Sequence, residues 1–303
     1  MSSSRRSLWF YPLFQIPLMC MAGCLVAAAL FWLLGLGRPP VAVAIAIDLS
    51  SSTYGASFNY PGSVMYQEVE AVKAYLKQNS QQLQIGNQNQ IQVFGFGGLV
   101  VPLTNGFKTD SERVETELTQ VLQSPDLPQR VASSTTNINL AIQKTTEALS
   151  RTQNYCRELL LVTDGEASVS PPIIAEAKKK RVRINVAIVG AEAPQLKAAA
   201  TTTKGIYVSG DVNNLEAFFT NQFFTRFNSN IKWIIFWLSG AWIALMWLLT
   251  LPLDRWVFQG FFKLEMPLAG QLSLGNAFFW SALTPILVWQ FLRAINLPFF
   301  SAC

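Results

Sequence analysis

Long uncharged runs toward both ends of the chain bracket a middle in which short apolar blocks alternate with amphipathic ones. Between Arg6 and Arg38 lie 31 residues without a charge, ending in CLVAAALFWLLGLG, and Trp233 to Leu253 gives 21 more between Lys232 and Asp254. About 20 apolar residues carry a helix across a bilayer, so both runs are predicted to span one. A third run, Met266 to Leu292, has 27 uncharged residues but includes Gln271, Asn276, Pro285 and Gln290. It is expected to span as well, with a re-entrant or surface-lying segment as the alternative. The first run is too long for a cleaved signal peptide and reads as a retained anchor. The connector DRWVFQGFFKLE is aromatic and looks interfacial. Three portions follow: residues 1–39 as an N-terminal tip and transmembrane helix, 40–225 as a folded domain, and 226–303 as a membrane region with one or two further spans.

Within the middle, Val41 to Ile47 is an apolar run ending in Asp48, the pattern of a buried strand. Ile91 to Phe96, Leu99 to Leu103, Glu158 to Thr163, Arg183 to Val189 and Ile206 to Ser209 read the same way. Helical spacing appears over Met65 to Gln78, Ser111 to Leu122, Ile138 to Leu149 and Pro172 to Lys180, and Leu215 to Phe223 closes the series. Thr136 and Asn137 are cap candidates for the helix from Ile138. Apolar strands alternating with helices predict a doubly wound α/β sheet, mostly parallel, covered on both faces and flanked by transmembrane α-helices. Gly97-Gly98 joins two strands too closely for a parallel crossover, so one edge strand is expected to be antiparallel.

Composition sharpens this division. Only 14% of residues are charged and mean hydropathy is +0.27, against about 25% charged in soluble domains. The net charge of +5 does not come from the middle, where Val41 to Asn230 holds 16 Lys and Arg against 16 Asp and Glu. The surplus flanks the apolar runs, as membrane-flank charges do, and nucleic acid is not expected as a partner. Arg5 and Arg6 before the first span, against Arg38 after it, predict a cytoplasmic N-terminus. The protein is then an integral membrane protein, of a bacterial inner membrane or similar, with its folded domain on the periplasmic or lumenal side. The chain contains no histidine, which excludes Ser-His-Asp and Cys-His catalysis and histidine metal sites. No pair among its four cysteines has metal-ligand spacing with enough partners.

The chemistry lies at strand ends. The first strand runs into Asp48-Leu49-Ser50-Ser51-Ser52, and an extended chain would point residues 48, 50 and 52 to one side. Ser133-Ser134-Thr135-Thr136-Asn137 places hydroxyls ahead of a helix, and Glu158 to Thr163 ends in Asp164-Gly165-Glu166. Ligands of open α/β sheets bind outside the carboxyl ends of the strands. Each feature taken singly is a turn or a cap; their joint occurrence at one edge of a sheet is not.

On these residues the stretch from Val41 to Phe224 resembles a von Willebrand factor type A (vWA) domain with a metal-ion-dependent adhesion site. The family's D-x-S-x-S falls on Asp48, Ser50 and Ser52, its threonine on Thr136 in TTNI, and its second aspartate on Asp164 in LLLVTDGE. Where the family usually has glycines ahead of the threonine, this chain has Ser134 and Thr135; the following Asn-Ile favours Thr136 over Thr135 as the ligand. All five side chains offer oxygen, so the implied cofactor is a hard cation, Mg²⁺ first and Mn²⁺ or Ca²⁺ next. The resemblance implies direct ligation by Ser50 and Ser52, with Asp48 and Asp164 often acting through water, and an Asp or Glu side chain of a protein partner completing the shell.

The function expected is therefore binding and not catalysis: a membrane-anchored module serving assembly or scaffolding of a protein complex. Bacterial membrane-anchored type A domains resemble partners of MoxR-type ATPases, and the resemblance implies a link to such a system. Cell-surface adhesion is the alternative within the same class. An aspartyl-phosphate phosphatase also places an aspartate after the first strand, but needs a second carboxylate two residues on as general acid. Here that position holds Ser50. Lys178, Lys179 and Lys180, which could imitate a phosphate-binding lysine, read as a solvated helix face.

Overall fold

The computed structural model of the protein describes residues 8–54, 60–81, 88–165, 168–190 and 192–294. Arg5, Arg6, Glu166 and the tail beyond 294 lie outside the described residues. The chain forms two compact units, residues 39–229 and residues 1–38 together with 230–303.

In the second of these, three helices among the described residues are long and apolar enough to cross a bilayer: α1 (Pro12–Leu34), Ile231–Phe261 and Met266–Ala294. The chain is thus a membrane protein. The middle span outruns its apolar stretch because the helix continues through π-helical turns over Leu253–Phe261. Trp256 and Phe261 are exposed on that extension. The third run forms one continuous helix of 29 residues despite Pro285, which leaves no break for a re-entrant turn. Asn230 donates from Nδ2 to the carbonyls of Phe31 and Leu36, satisfying C-terminal carbonyls at and just beyond the end of α1 that the helix itself leaves without partners.

The unit of residues 39–229 is built on a six-stranded sheet in the order β3-β2-β1-β4-β5-β6. Its strands are β1 (Val41–Asp48), β2 (Gln90–Phe96), β3 (Val100–Pro102), β4 (Cys156–Thr163), β5 (Val182–Val189) and β6 (Tyr207–Gly210). All neighbours pair in parallel except β2 and β3, whose antiparallel hairpin turns at Gly97-Gly98. A Cβ on Gly97 would lie 2.7 Å from the carbonyl of Val131, and one on Gly98 would lie 2.3 Å from Thr135 Oγ1. Only glycine lets the 131–137 loop close over this turn, where Gly98 donates to Ala132 and Asn137 donates to Gly97.

Helices cover both faces of the sheet: α2 (Ser51–Tyr54), α3 (Val64–Gln81), α4 (Ser111–Leu122), α5 (Leu127–Arg130), α6 (Ile138–Ser150), α7 (Pro171–Lys179) and α8 (Pro194–Thr203). Strand β1 shows how. Val43, Ile45 and Ile47 point into one core with Val69, Val72 and Leu118. Its alternate residues Ala42, Ala44 and Ala46 point into the other, with Ala141 and Ile142 of α6. Small residues on that face let α6 approach closely, and period 2 along the strand assigns each core its set. After β6 a helix runs over 215–227, with a π-helical middle at Phe218–Phe224. It buries Phe219, Phe223 and Phe224 against α3, where Phe219 and Phe224 meet Tyr75 edge-on. Helices α5 and α8 have no counterpart in the sequence pattern, being respectively one turn and an alanine- and threonine-rich segment.

A buried ion pair enters this core where the strands begin. Glu158 of β4 is 2% exposed; Arg183 lies 3.0 Å from Oε1, and Asn185 donates to Oε2 at 2.9 Å. Burial holds this carboxyl above the usual range, opposed by Arg183, the Asn185 hydrogen bond and the charge of Arg226. Glu158 lies at the edge where β1, β4 and β5 begin, since Val41 pairs with Cys156 and Arg157 with Val182. The helix over 215–227 ends near that same edge, since Phe224 packs on Tyr75, whose hydroxyl accepts from Asn89 just ahead of β2. The chain therefore enters and leaves this unit at the amino edge of the sheet, with the carboxyl ends of the strands opposite.

Candidate metal centre

At the carboxyl edge β1 ends on Asp48 and β4 on Thr163, side by side. The chain does not stay extended after Asp48, as the D-x-S-x-S pattern alone suggested. It turns at once into α2, because the Ser50 N–H donates back to Asp48 Oδ1 at 2.9 Å, closing an Asx-type turn. Thr53 Oγ1 locks the turn from below, donating to the carbonyls of Asp48 (2.9 Å) and Ser50 (2.8 Å). The turn still brings Ser50 and Ser52 together, with their hydroxyls 2.9 Å apart, and Ser52 Oγ donates to Asp164 Oδ1 at 3.2 Å. Ser50, Ser52 and Asp164 thus form one continuous line of oxygens from two segments more than a hundred residues apart.

Thr136 lines the same cleft, of about 330 Å³, with Ser52, Asn137, Asn139, Asp164 and Ser168. The helix cap explains why its hydroxyl is available. Asn137 caps α6 by accepting from the Leu140 N–H at 3.0 Å, which leaves Thr136 exposed and without a hydrogen bond among the described residues. Thr135, the competing hydroxyl, packs with its Oγ1 against Gly98. The cleft therefore gathers Ser52, Thr136 and Asp164, with Ser50 and Asp48 directly behind.

Two participants were not singled out from the sequence. Thr163 Oγ1 donates to Asp48 Oδ2 at 2.7 Å, so both carboxylate oxygens of Asp48 are held. Glu68 of α3 is fully buried and accepts the Asp48 N–H at 2.9 Å, while its other oxygen has no partner. A signal for Glu68 existed: it falls on the helix stripe with Met65, Val69 and Val72, where an acid is out of place. Burial, then repulsion from Asp48, drives the Glu68 carboxyl well above the usual range. Burial likewise raises Asp48, against the hydrogen bonds from Ser50 and Thr163. No basic side chain pairs with Asp48, Glu68 or Asp164 among the described residues.

The donor set fits a small hard cation. Octahedral Mg²⁺ at about 2.1 Å from its ligands sets neighbouring oxygens roughly 2.9–3.0 Å apart, whereas Ca²⁺ takes more ligands at longer bonds and in less regular geometry. The Ser50–Ser52 separation of 2.9 Å fits such an edge, and the Ser52–Asp164 separation of 3.2 Å is somewhat wider. Among the described residues no cluster of three or more His, Cys, Asp and Glu could hold a metal, so a cation here depends on hydroxyls as much as on carboxylates.

Comparison with known proteins bears on the same segment. The family model of the von Willebrand factor type A domain matches residues 43–166. No curated protein matches the chain. Among solved structures, the conserved hypothetical protein BatB from Bacteroides thetaiotaomicron aligns at 18% identity and a TM-score of 0.46, over 59% of this chain and 96% of that one. An aerotolerance-related membrane protein from Bacteroides fragilis aligns at 18% identity and a TM-score of 0.46, over 61% and 99% of the two chains. Proximal thread matrix protein 1 from the mussel byssus, with a zinc-occupied MIDAS motif, aligns at 16% identity and a TM-score of 0.45, over 60% of this chain and 47% of that one.

Proposed function

Because residues 43–166 form a von Willebrand factor type A domain, we propose that this membrane protein captures an acidic side chain of a protein partner through a divalent cation, Mg²⁺ first, at the carboxyl edge of its sheet. Asp48, Ser50, Ser52, Thr136 and Asp164 hold the ion. The observation that carries this reading is the line of Ser50, Ser52 and Asp164 oxygens, 2.9 and 3.2 Å apart, beside a cleft lined by Thr136. Two carboxylates in the set nearly balance a divalent charge, and a further carboxylate from outside can complete the shell. The role is binding in the assembly or scaffolding of a complex, linked to a MoxR-type ATPase, and not catalysis, since position 50 offers a hydroxyl where phosphoryl transfer through Asp48 needs an acid.

Calorimetry on the full-length protein should give saturable Mg²⁺ and Mn²⁺ binding, and capture of partners from native membranes should be lost with chelator and restored by either ion. Absence of metal binding together with chelator-insensitive capture overturns the proposal and returns the serines to turn and cap residues.

The domain is proposed to face the periplasm or lumen, on the charge bias of Arg5 and Arg6 against Arg38. Protease added to intact spheroplasts should then degrade residues 40–225; full protection of that segment reverses the orientation.

A further inference from the structure

Residues 41–230 are electrically neutral overall, yet their cations are not evenly spread. Three turns at the amino edge of the sheet lead from α6 to β4, from α7 to β5 and from α8 to β6. Lys178, Lys179, Arg181 and Lys204 stand exposed in or beside them. The acids nearby in sequence are already engaged: Glu147 with Arg151, Glu158 with Arg183 and Glu176 with Lys180. Those four cations form no ion pair among the described residues.

The platform beneath them is rigid. Arg157 donates to the Lys180 carbonyl at 2.8 Å and to the Thr152 carbonyl at 2.8 Å, tying the first turn to the second. Each turn also contains a left-handed residue: Asn154 at φ 64°, Arg181 at φ 56° and Lys204 at φ 63°. Glycine is the usual occupant of such a position after a helix. Two of the three carry a long cation instead.

This edge is also where the chain is tethered. Six residues separate Leu34, the end of α1, from Val41 at the start of β1, which limits the tether to about 25 Å. At the other end, Phe227 is followed by a helix that begins at Ile231 and continues as the second span. Tethers this short allow the cationic surface to reach the headgroup charge, which decays over about a Debye length.

From the charge of this edge and the shortness of its two tethers, we infer that Lys178, Lys179, Arg181 and Lys204 dock the amino edge of the domain onto anionic phospholipid headgroups. Docking there directs the opposite edge, with Asp48 and Asp164, away from the bilayer. The inference stands whether or not that site binds a metal.

The test is amide hydrogen exchange on the full-length protein in nanodiscs, either of phosphatidylcholine alone or of phosphatidylcholine mixed with phosphatidylglycerol. Exchange across 151–155, 178–183 and 203–206 should slow at least about tenfold in the anionic discs and recover in high salt. In the combined Lys178→Gln, Lys179→Gln, Arg181→Gln and Lys204→Gln variant the lipid effect should vanish while the unfolding midpoint in neutral discs is retained. If that variant does not fold, the Lys178→Gln, Lys179→Gln pair decides, since both side chains are exposed on a helix, and it should at least halve the effect. Equal exchange in the two kinds of disc overturns the inference, as does an anionic effect that survives the substitutions.

Discussion

In Asp48→Ala the domain should lose its thermal response to Mg²⁺ outright. A ligand at a hundredfold excess over its Kd stabilises the native state by about 2.7 kcal/mol. For a domain of this size each kcal/mol moves the midpoint by about 2–4 °C. The wild-type transition should therefore rise by roughly 5–10 °C on saturation with Mg²⁺, and that of the variant should not move. Asp48 is fully buried, so it is no dispensable rim residue. Alanine also strips Thr163 Oγ1 and the Ser50 N–H of their acceptor, at about 1–3 kcal/mol for each buried group left unpaired. Asp48→Asn keeps an acceptor in place and removes the charge, and it should lose the metal response with less cost to the metal-free fold. Thr136→Ala should weaken the response less than either, because it removes one exposed neutral oxygen. A Mg²⁺-induced shift of wild-type size in Asp48→Asn would exclude Asp48 from the centre.

The second large effect concerns the opposite edge of the sheet. Arg183→Ala leaves the Glu158 carboxylate, 2% exposed, without its cation. Breaking a buried pair by removing one partner costs about 3–5 kcal/mol, or roughly 6–20 °C in the domain's midpoint. The pH dependence has a definite sign. The folded-state pKa of Glu158 is raised, chiefly by burial, and Arg183 is among the groups that oppose this. A carboxyl with a raised folded pKa favours the folded state below its unfolded pKa, and that contribution is lost as pH rises through the folded value. Removing Arg183 raises the folded value further. The deficit of the variant should be greatest at neutral pH and shrink on acidification, as Glu158 takes up a proton. Thermal melts of both proteins across the acid range measure it, and a deficit independent of pH would assign the cost to lost packing of the arginine stem instead.

The two edges of one sheet were legible in the sequence to different degrees. Apolar runs such as Val41 to Ile47 and Glu158 to Thr163 identified central strands, because a strand buried on both faces has few polar positions. Gly97-Gly98 identified the antiparallel edge, because two residues cannot carry a crossover. Hydroxyls and carboxylates could be placed together at one edge, since a parallel sheet gathers its strand ends whatever the loops do, and the resemblance to type A domains picked out Asp48, Ser50, Ser52, Thr136 and Asp164 among them. Charge-free length alone marked the three apolar helices.

Tertiary structure decided the rest. The turn after Asp48 depends on the Asx hydrogen bond from the Ser50 N–H and on Thr53, a choice between helix and extension that local pattern leaves open. Thr135 packs against Gly98, a contact made across more than thirty residues, while Thr136 lines the cleft. Glu68 and Thr163 joined the site only when α3 and β4 packed beside β1. Lys178 to Lys180 read as a solvated helix face until the strand order set them with Arg181 and Lys204 at the edge where the chain is tethered. Period and composition are local quantities that a sequence states directly, whereas which buried acid meets which cation is fixed by strand order and helix packing.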